Sequence, residues 1–472
     1  MDIEIHPGRL SGSVRAIPSK SQAHRALICA SLADGPTAIR CESESDDIAA
    51  TADCMRALGA DIRRMADGYS VRPLTREDRA VSGGLPGAAG VPASSPMADN
   101  ATLPCGESGS TLRFLLPIVC VLGRSASFVM KGRLSKRPLS PLDELLAAHG
   151  CTLSSEDGLL HISGQLAPGR YALDAGVSSQ FVSGLLFALP LLGGDSELRL
   201  VGQAESFPYI RLTLEMLRRF GVEIKFQDGI FYIPGGPSRA ALRRETRGDG
   251  ASAKGNSSVP FTSPGEVYIE GDWSNAAFWL CAGAVNADGT GGVMCTGLDT
   301  ASRQGDRAVL DILKQFGCRI ETDGSGVAAS GGKLRGIEID ARDIPDLVPI
   351  LSVVAAAAEG ITVIRNAGRL RTKESDRLAA VTDVLRTLGA DITETDDGLC
   401  IHGGALTGGE VSSSVSSSVS SWGDHRIAMT AAIAATICAR SVIIRGAEAV
   451  NKSYPGFFND LRALGGSAYT MP

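Results

Sequence analysis

Met55-Arg56-Ala57-Leu58-Gly59-Ala60-Asp61-Ile62 reads as the end of an amphipathic helix, a glycine, and the start of a strand. The same reading recurs at 146–153, 217–224, 313–320, 385–392 and 461–468, pivoting on Gly150, Gly221, Gly317, Gly389 and Gly465. A glycine just past a helix takes the left-handed backbone at little cost, and alternation after it opens a strand. Five of the six copies run on into Asp-Gly, at Asp67-Gly68, Asp157-Gly158, Asp228-Gly229, Asp323-Gly324 and Asp397-Gly398. Asp-Gly between alternating segments signals a hairpin. The unit is therefore helix, strand, turn, strand. The pivots lie 91, 71, 96, 72 and 76 residues apart, too far for a solenoid repeat of about 20–50 residues. Six α/β subdomains, in two groups of three, are expected.

Composition agrees with that size. The chain has 472 residues, room for two or more domains of about 100–200 residues. Hydrophobic residues make up 44% and charged ones 21%, which excludes disorder as the main state. Lys and Arg number 46 against 52 Asp and Glu, for a net charge of −6. That balance argues against nucleic-acid binding, which needs a basic face. Eleven scattered cysteines, with no C-x-x-C and no zinc-like spacing, point to reduced thiols in the cytosol. No secretory signal opens the sequence, and no apolar run reaches the roughly 20 residues that span a bilayer. The cytoplasm is the expected compartment. Segments 82–103, 235–264 and 411–421 read as loops or linkers. The second lies near the midpoint and marks the candidate domain boundary. The third, rich in serine, reads as mobile.

Cations and small polar residues gather where apolar helices begin. Pro18-Ser19-Lys20-Ser21, with Arg25, precedes an apolar helix, as does the Gly106–Arg113 loop containing Gly109. Free N–H groups at such starts, beside Lys or Arg, suit anions. The Gly109 loop has neither Walker A spacing nor a dinucleotide fingerprint. Lys131, Arg133, Lys136 and Arg137 form a third cluster, and Ser178-Ser179-Gln180 opens another apolar helix. Arg369 to Arg377 carries Lys373 and Arg377 four apart, on one helix face, with Glu374 between them. Asp424-His425-Arg426 sits before a wholly apolar helix, a costly place for charge without a purpose. Lys452, Tyr454 and Pro455 form the last cluster. Each taken singly also fits a capped helix or a solvated surface.

In this order the clusters resemble the enolpyruvyl transferases, from about Pro18 to Pro455. Ser206-Phe207-Pro208-Tyr209, Glu270-Gly271-Asp272 and Ile344-Pro345-Asp346 add to the match. The resemblance implies an α/β fold of two similar globular domains, each of three helix/strand repeats forming an inside-out α/β barrel, with the active site in the interdomain cleft. It places one domain at 19–236 and the other at 1–18 plus 237–472, the family's first strand belonging to the second. It is closest to the branch that joins shikimate 3-phosphate to phosphoenolpyruvate and releases phosphate, on the route to chorismate and the aromatic amino acids. It implies no metal or organic cofactor, no nucleic-acid or membrane partner, and a monomer. Shikimate 3-phosphate would be held by Lys20, Ser21, Arg25, Ser178, Ser179, Gln180, Ser206, Tyr209, Asp346 and Lys373. Phosphoenolpyruvate would be held by Lys20, Gly109, Arg113, Arg137, Gln180, Arg377, Arg426 and Lys452. Lys20, Asp346 and Glu374 are the implied catalytic groups. Arginine suits bidentate contact with carboxylate and phosphate.

Glu107, Ser110 and Arg369 stand where many members have Asn, Thr and Asn. Glyphosate, which takes the phosphoenolpyruvate place in this family, is expected to bind because Gly109 is retained. One rival is the branch that acts on UDP-N-acetylglucosamine. It usually carries a Cys or Asp in a mobile loop, and residues 123–136 have neither. An RNA-end-processing protein of related repeat architecture is a more distant rival. The net charge and the 5% aromatic content count against it.

Overall fold

The computed structural model describes residues 1–75, 100–174, 176, 178–202, 205–236, 260–286, 292–408 and 417–471. Within the segments read as linkers, 82–99, 237–259 and 411–416 lie outside the described residues. The remaining parts are partly structured. Ala101–Gly106 is a strand, and so is Ser417–Ser420, which pairs in parallel with Val442–Arg445. The reading of 411–421 as mobile is corrected there: Val419 is buried, and its neighbours complete a sheet edge.

All six pivot glycines are left-handed, with φ between +74° and +111°. Each of the five Asp-Gly pairs lies in a turn joining two antiparallel strands. At Asp157-Gly158 and Asp228-Gly229 both turn residues have positive φ, as a type I′ turn demands.

The described strands form six four-stranded sheets. In each, the first two strands are parallel, and a hairpin or its equivalent adds two antiparallel strands. The copy at Gly465 has no Asp-Gly because its missing strand comes from elsewhere. Ile3–His6 lies between Val442–Arg445 and Ser467–Thr470, antiparallel to both.

The sheets divide into two compact units, three to each. The first comprises Met1–Lys20, Glu44–Asp46 and Glu270–Pro472, the second Ser21–Ser43 and Asp47–Ile269. The second crossing falls at Ile269/Glu270, later than both the 235–264 segment marked by composition and the 236/237 boundary that the resemblance implies. Glu266–Tyr268 pairs in parallel with Thr37–Arg40, which keeps the chain in the second unit to that point.

Each repeat carries a nearly all-buried helix ahead of the inner strand of its parallel pair and an amphipathic helix after it. All twelve residues of Trp273–Ala284 are buried. Val348–Ala357 and His425–Thr436 pack with it. By contrast Val309–Phe316 buries Val309, Leu310, Ile312, Leu313 and Phe316, a one-faced helical pattern. In the first core the Trp279 ring stacks on Phe457 at 4.6 Å, and its N–H donates to the Tyr454 hydroxyl at 3.1 Å. Buried side chains of this size each contribute about 1.5–3 kcal/mol. No helix among the described residues is long and apolar enough to cross a membrane. The eleven thiols are unbridged, ten of them buried.

Candidate active site

In the first unit the buried helices begin at a knot of charges. Asp424 caps His425–Thr436, accepting the Arg426 N–H at 2.9 Å. It has no solvent contact, and Arg377 neutralises it: Nε donates to Oδ2 at 2.8 Å and Nη2 to Oδ1 at 3.3 Å. The same guanidinium donates to Asp346 Oδ1 and Glu374 Oε2, each at 2.8 Å. Arg426 donates to Asp346 Oδ2 at 3.2 Å and to Ser274 Oγ at 2.8 Å. Ser274 lies on Trp273–Ala284 and Asp346 just before Val348–Ala357. The N-terminal ends of all three buried helices therefore meet here.

Electrostatics follow from burial and these pairs. Burial pushes the Asp346 carboxyl up, but Arg426, Lys373 and Arg377 outweigh it and hold the group well below the usual carboxylate range. Lys373 falls to about 8, chiefly because burial penalises its charge, with Arg369 and Arg377 adding repulsion against the pull of Asp346. Burial also opposes the charge on Arg377, yet Asp424, Glu374 and Asp346 raise its pKa overall. His425 is buried, and its pKa is driven well down by burial and then by Lys20, Arg426 and Arg377. It is therefore neutral at pH 7. Neither of its ring nitrogens has a hydrogen-bond partner among the described residues.

Lys20 is tied to this unit through its backbone N–H, which donates to Asp272 Oδ2 at 3.1 Å. Asp272 also caps Trp273–Ala284. Gln304 braces the same corner, accepting from Ser19 Oγ at 3.3 Å and the Trp273 N–H at 3.1 Å, and donating to Gly271 O at 2.8 Å. Lys452 is buried beside Ser453, whose Oγ accepts from Asn275 at 3.2 Å.

The second unit gathers a different set. Ser108 caps Gly109–Val121 and Ser178 caps Ser179–Ala188. Arg113 on the first helix donates to Gln180 Oε1 at 3.0 Å, and Gln180 returns a bond to Ser110 Oγ at 2.9 Å. A Cβ on Gly109 would fall 2.7 Å from Arg113 Nη1 and 2.8 Å from Arg137 Nη1. The missing side chain is what lets both guanidinium groups close over this backbone. Arg25 donates to Ser21 O at 2.6 Å, Thr213 Oγ1 at 2.9 Å and Tyr209 O at 2.9 Å. Burial lowers its pKa to about 10. Ser206 is left-handed, at φ +53°, and stands at the N-terminal boundary of Phe207–Arg219 without a side-chain capping bond.

The residues singled out from sequence thus fall into two constellations. Lys20, Asp346, Lys373, Glu374, Arg377, Arg426 and Lys452 belong to the first unit. Ser21, Arg25, Gly109, Arg113, Arg137, Ser178, Ser179, Gln180, Ser206 and Tyr209 belong to the second. Sequence reading missed Ser274 and Gln304, which lie in no charged cluster. In the sequence Asp424 stands out only as part of a motif, yet it anchors Arg377. Of the departures, the Glu107 carboxylate lies against Gly132, and Arg369 donates to Arg342 O at 2.6 Å.

Six such sheets in two units make the fold that of an enolpyruvyl transferase. The crystal structure of the enolpyruvyl transferase NikO from Streptomyces tendae matches at a TM-score of 0.71 and 20% identity, covering 100% of this chain and 99% of that one. An EPSP synthase structure from Acinetobacter baumannii matches at 0.73 and 24%, covering 99% and 100%. The profile of the EPSP synthase (3-phosphoshikimate 1-carboxyvinyltransferase) family matches residues 5–255 and 239–461. The chain belongs to that family. The 3-phosphoshikimate 1-carboxyvinyltransferase of Clostridium kluyveri is 40% identical over 467 residues, 98% of this chain and 97% of its own. That of Clostridium beijerinckii is 40% identical over 468 residues, 98% of each. The nucleotide-sugar and RNA-end readings give way to this one.

Proposed function

We propose that the chain transfers the enolpyruvyl group of phosphoenolpyruvate to the 5-hydroxyl of shikimate 3-phosphate. The 5-oxygen bonds to C2, the C2–O bond to phosphate breaks, and the hydroxyl proton ends on the released phosphate. What supports the reading most is the first unit's knot, where two carboxylates, Asp346 and Glu374, share Arg377 at the start of three buried helices. It supplies cations for acidic substrates and carboxylates for proton transfer at one place.

On this reading shikimate 3-phosphate engages Ser21, Arg25, Ser178, Ser179, Gln180, Ser206 and Tyr209 of one unit and Lys20, Asp346 and Lys373 of the other. Phosphoenolpyruvate engages Gly109, Arg113, Arg137 and Gln180, and Lys20, Arg377, Arg426 and Lys452. The enzyme acts as a monomer in the cytoplasm. The test is phosphate release from phosphoenolpyruvate, which should require shikimate 3-phosphate and should not proceed with UDP-N-acetylglucosamine. Release with the nucleotide sugar alone would refute the assignment.

Two further results are expected. Lys373, at about 8, is charged below that pH and neutral above it. Anion binding that depends on it is present at low pH and lost as pH rises. In the free enzyme, kcat/KM for shikimate 3-phosphate should therefore fall above pH 8 by up to about tenfold per unit, since that parameter reports free-enzyme groups. Lys373→Arg, with its fixed charge, should flatten this limb; an unchanged limb would remove Lys373 from the site.

Gly109→Ala should push the Arg113 and Arg137 guanidinium groups outward. KM for phosphoenolpyruvate should rise roughly tenfold, about the worth of one displaced charged hydrogen bond, with KM for shikimate 3-phosphate changing little. Equal rises in both would show that the substitution disturbs the whole unit instead.

A further inference from the structure

Four buried polar side chains of the second unit, drawn from three helices and one cap, make a chain that the reaction chemistry does not use. His24 Nδ1 lies 2.6 Å from Thr51 Oγ1, and Thr51 Oγ1 lies 2.6 Å from Thr111 Oγ1. Thr111 Oγ1 donates to Ser108 Oγ at 2.7 Å. All four residues are at most 1% exposed. The hydrogen positions can be deduced by counting. Thr111 has one hydroxyl hydrogen, and it goes to Ser108. The bond between the two threonines must then be donated by Thr51. Thr51 in turn has no hydrogen left for the imidazole, so His24 must donate from Nδ1. The chain runs one way, from His24 through Thr51 and Thr111 to Ser108.

Ser108 is the cap of Gly109–Val121. Its Oγ accepts from Thr111 twice, through the hydroxyl and through the backbone N–H at 3.3 Å. Its carbonyl accepts the Leu112 N–H at 3.1 Å. The first-turn N–H groups of Gly109 and Ser110 have no acceptor within the helix. Their direction is set by how Ser108 is held.

We propose that His24, Thr51 and Thr111 are positioning residues: their one-way chain of hydrogen bonds pins Ser108 and so aims the Gly109 and Ser110 N–H groups at the phosphoenolpyruvate anion. This rests on the assignment of that substrate to the Gly109 loop. A buried hydroxyl is costly unless it is bonded. With the Thr51 and Thr111 hydroxyls each both accepting and donating, the three helices share a single arrangement of the loop. The packing around it fits: the His24 ring meets Phe114 edge-on at 6.4 Å, and the Arg25 guanidinium lies over the Phe114 ring, 5.1 Å from its centroid.

The experiment has two arms. In the first, nitrogen-15 NMR of the wild-type protein at pH 9 should find the neutral His24 ring protonated at Nδ1. A ring protonated at Nε2 overturns the chain, and this arm needs no variant and no substrate. In the second, Thr51→Val removes the relaying hydroxyl at nearly constant volume. KM for phosphoenolpyruvate should rise roughly tenfold while KM for shikimate 3-phosphate holds, and Thr51→Ser should restore it. Equal rises in both KM values, or no recovery with serine, would show a merely structural threonine. Should the wild-type enzyme turn over neither substrate, the functional reading fails, and the NMR arm still decides whether the chain is polarised.

Discussion

Arg377→Met is expected to lower stability by roughly 3–5 kcal/mol, the cost of stranding buried charge, and to abolish turnover. The guanidinium is 2% exposed and serves three carboxylates from separate parts of the first unit. Asp424 among them has no solvent contact. Removing the cation leaves these acids repelling one another in a poorly solvated place, where they must take up protons or draw in water. Arg377→Lys should recover less than half of the loss, because one ammonium cannot reproduce a planar fork that bonds three acids at once. Urea unfolding measures both: the midpoint should shift while the slope stays constant. A loss below about 1 kcal/mol, the worth of an exposed pair, would mean the acids are held by something else.

Glu374→Gln and Lys20→Met are expected to reduce kcat by about 10²–10⁴-fold, the usual range for a lost general acid or base, while their urea midpoints move far less than that of Arg377→Met. Glutamine keeps the shape of Glu374 and an oxygen for Arg377 Nη2, so the main thing removed is the capacity to carry a proton. Arg426, Lys373 and Arg377 together outweigh burial at Asp346 and hold its proton affinity down. Substrate anions that draw Lys373 and Arg426 to themselves would release it. A kcat within about threefold of wild type for Glu374→Gln, far short of that range, would remove the carboxylate from proton transfer.

Much of the fold was legible because its signals are local. A glycine after a helix and Asp-Gly between alternating strands act over a few residues, and all six pivots and all five turns lie where the sequence put them. The strand at Ser417–Ser420 was not legible, because its serines carry no alternation and its edge is made by residues 25 positions later. Composition also misplaced the second crossing: it marks where the chain is rich in small polar residues, whereas Glu266–Tyr268 is committed by its pairing partner. At the site, cations at helix starts stood out as cations. Their internal partners did not, since Arg377 meets Asp424 across 47 residues and Arg426 meets Ser274 across 152. Nothing local to Ser274 or Gln304 announces such a contact.

Ile3–His6 lies in the middle of its sheet, flanked by strands from 442–445 and 467–470. During synthesis this segment leaves the ribosome long before either neighbour exists, and its backbone must wait on water or on a chaperone. The strands of the other two sheets of the first unit are all made earlier, so this sheet is the one that must await residues 442–470 before Ile3–His6 can pair. Contacts at such separation are slow to form, and the interval leaves an open strand edge exposed to other chains.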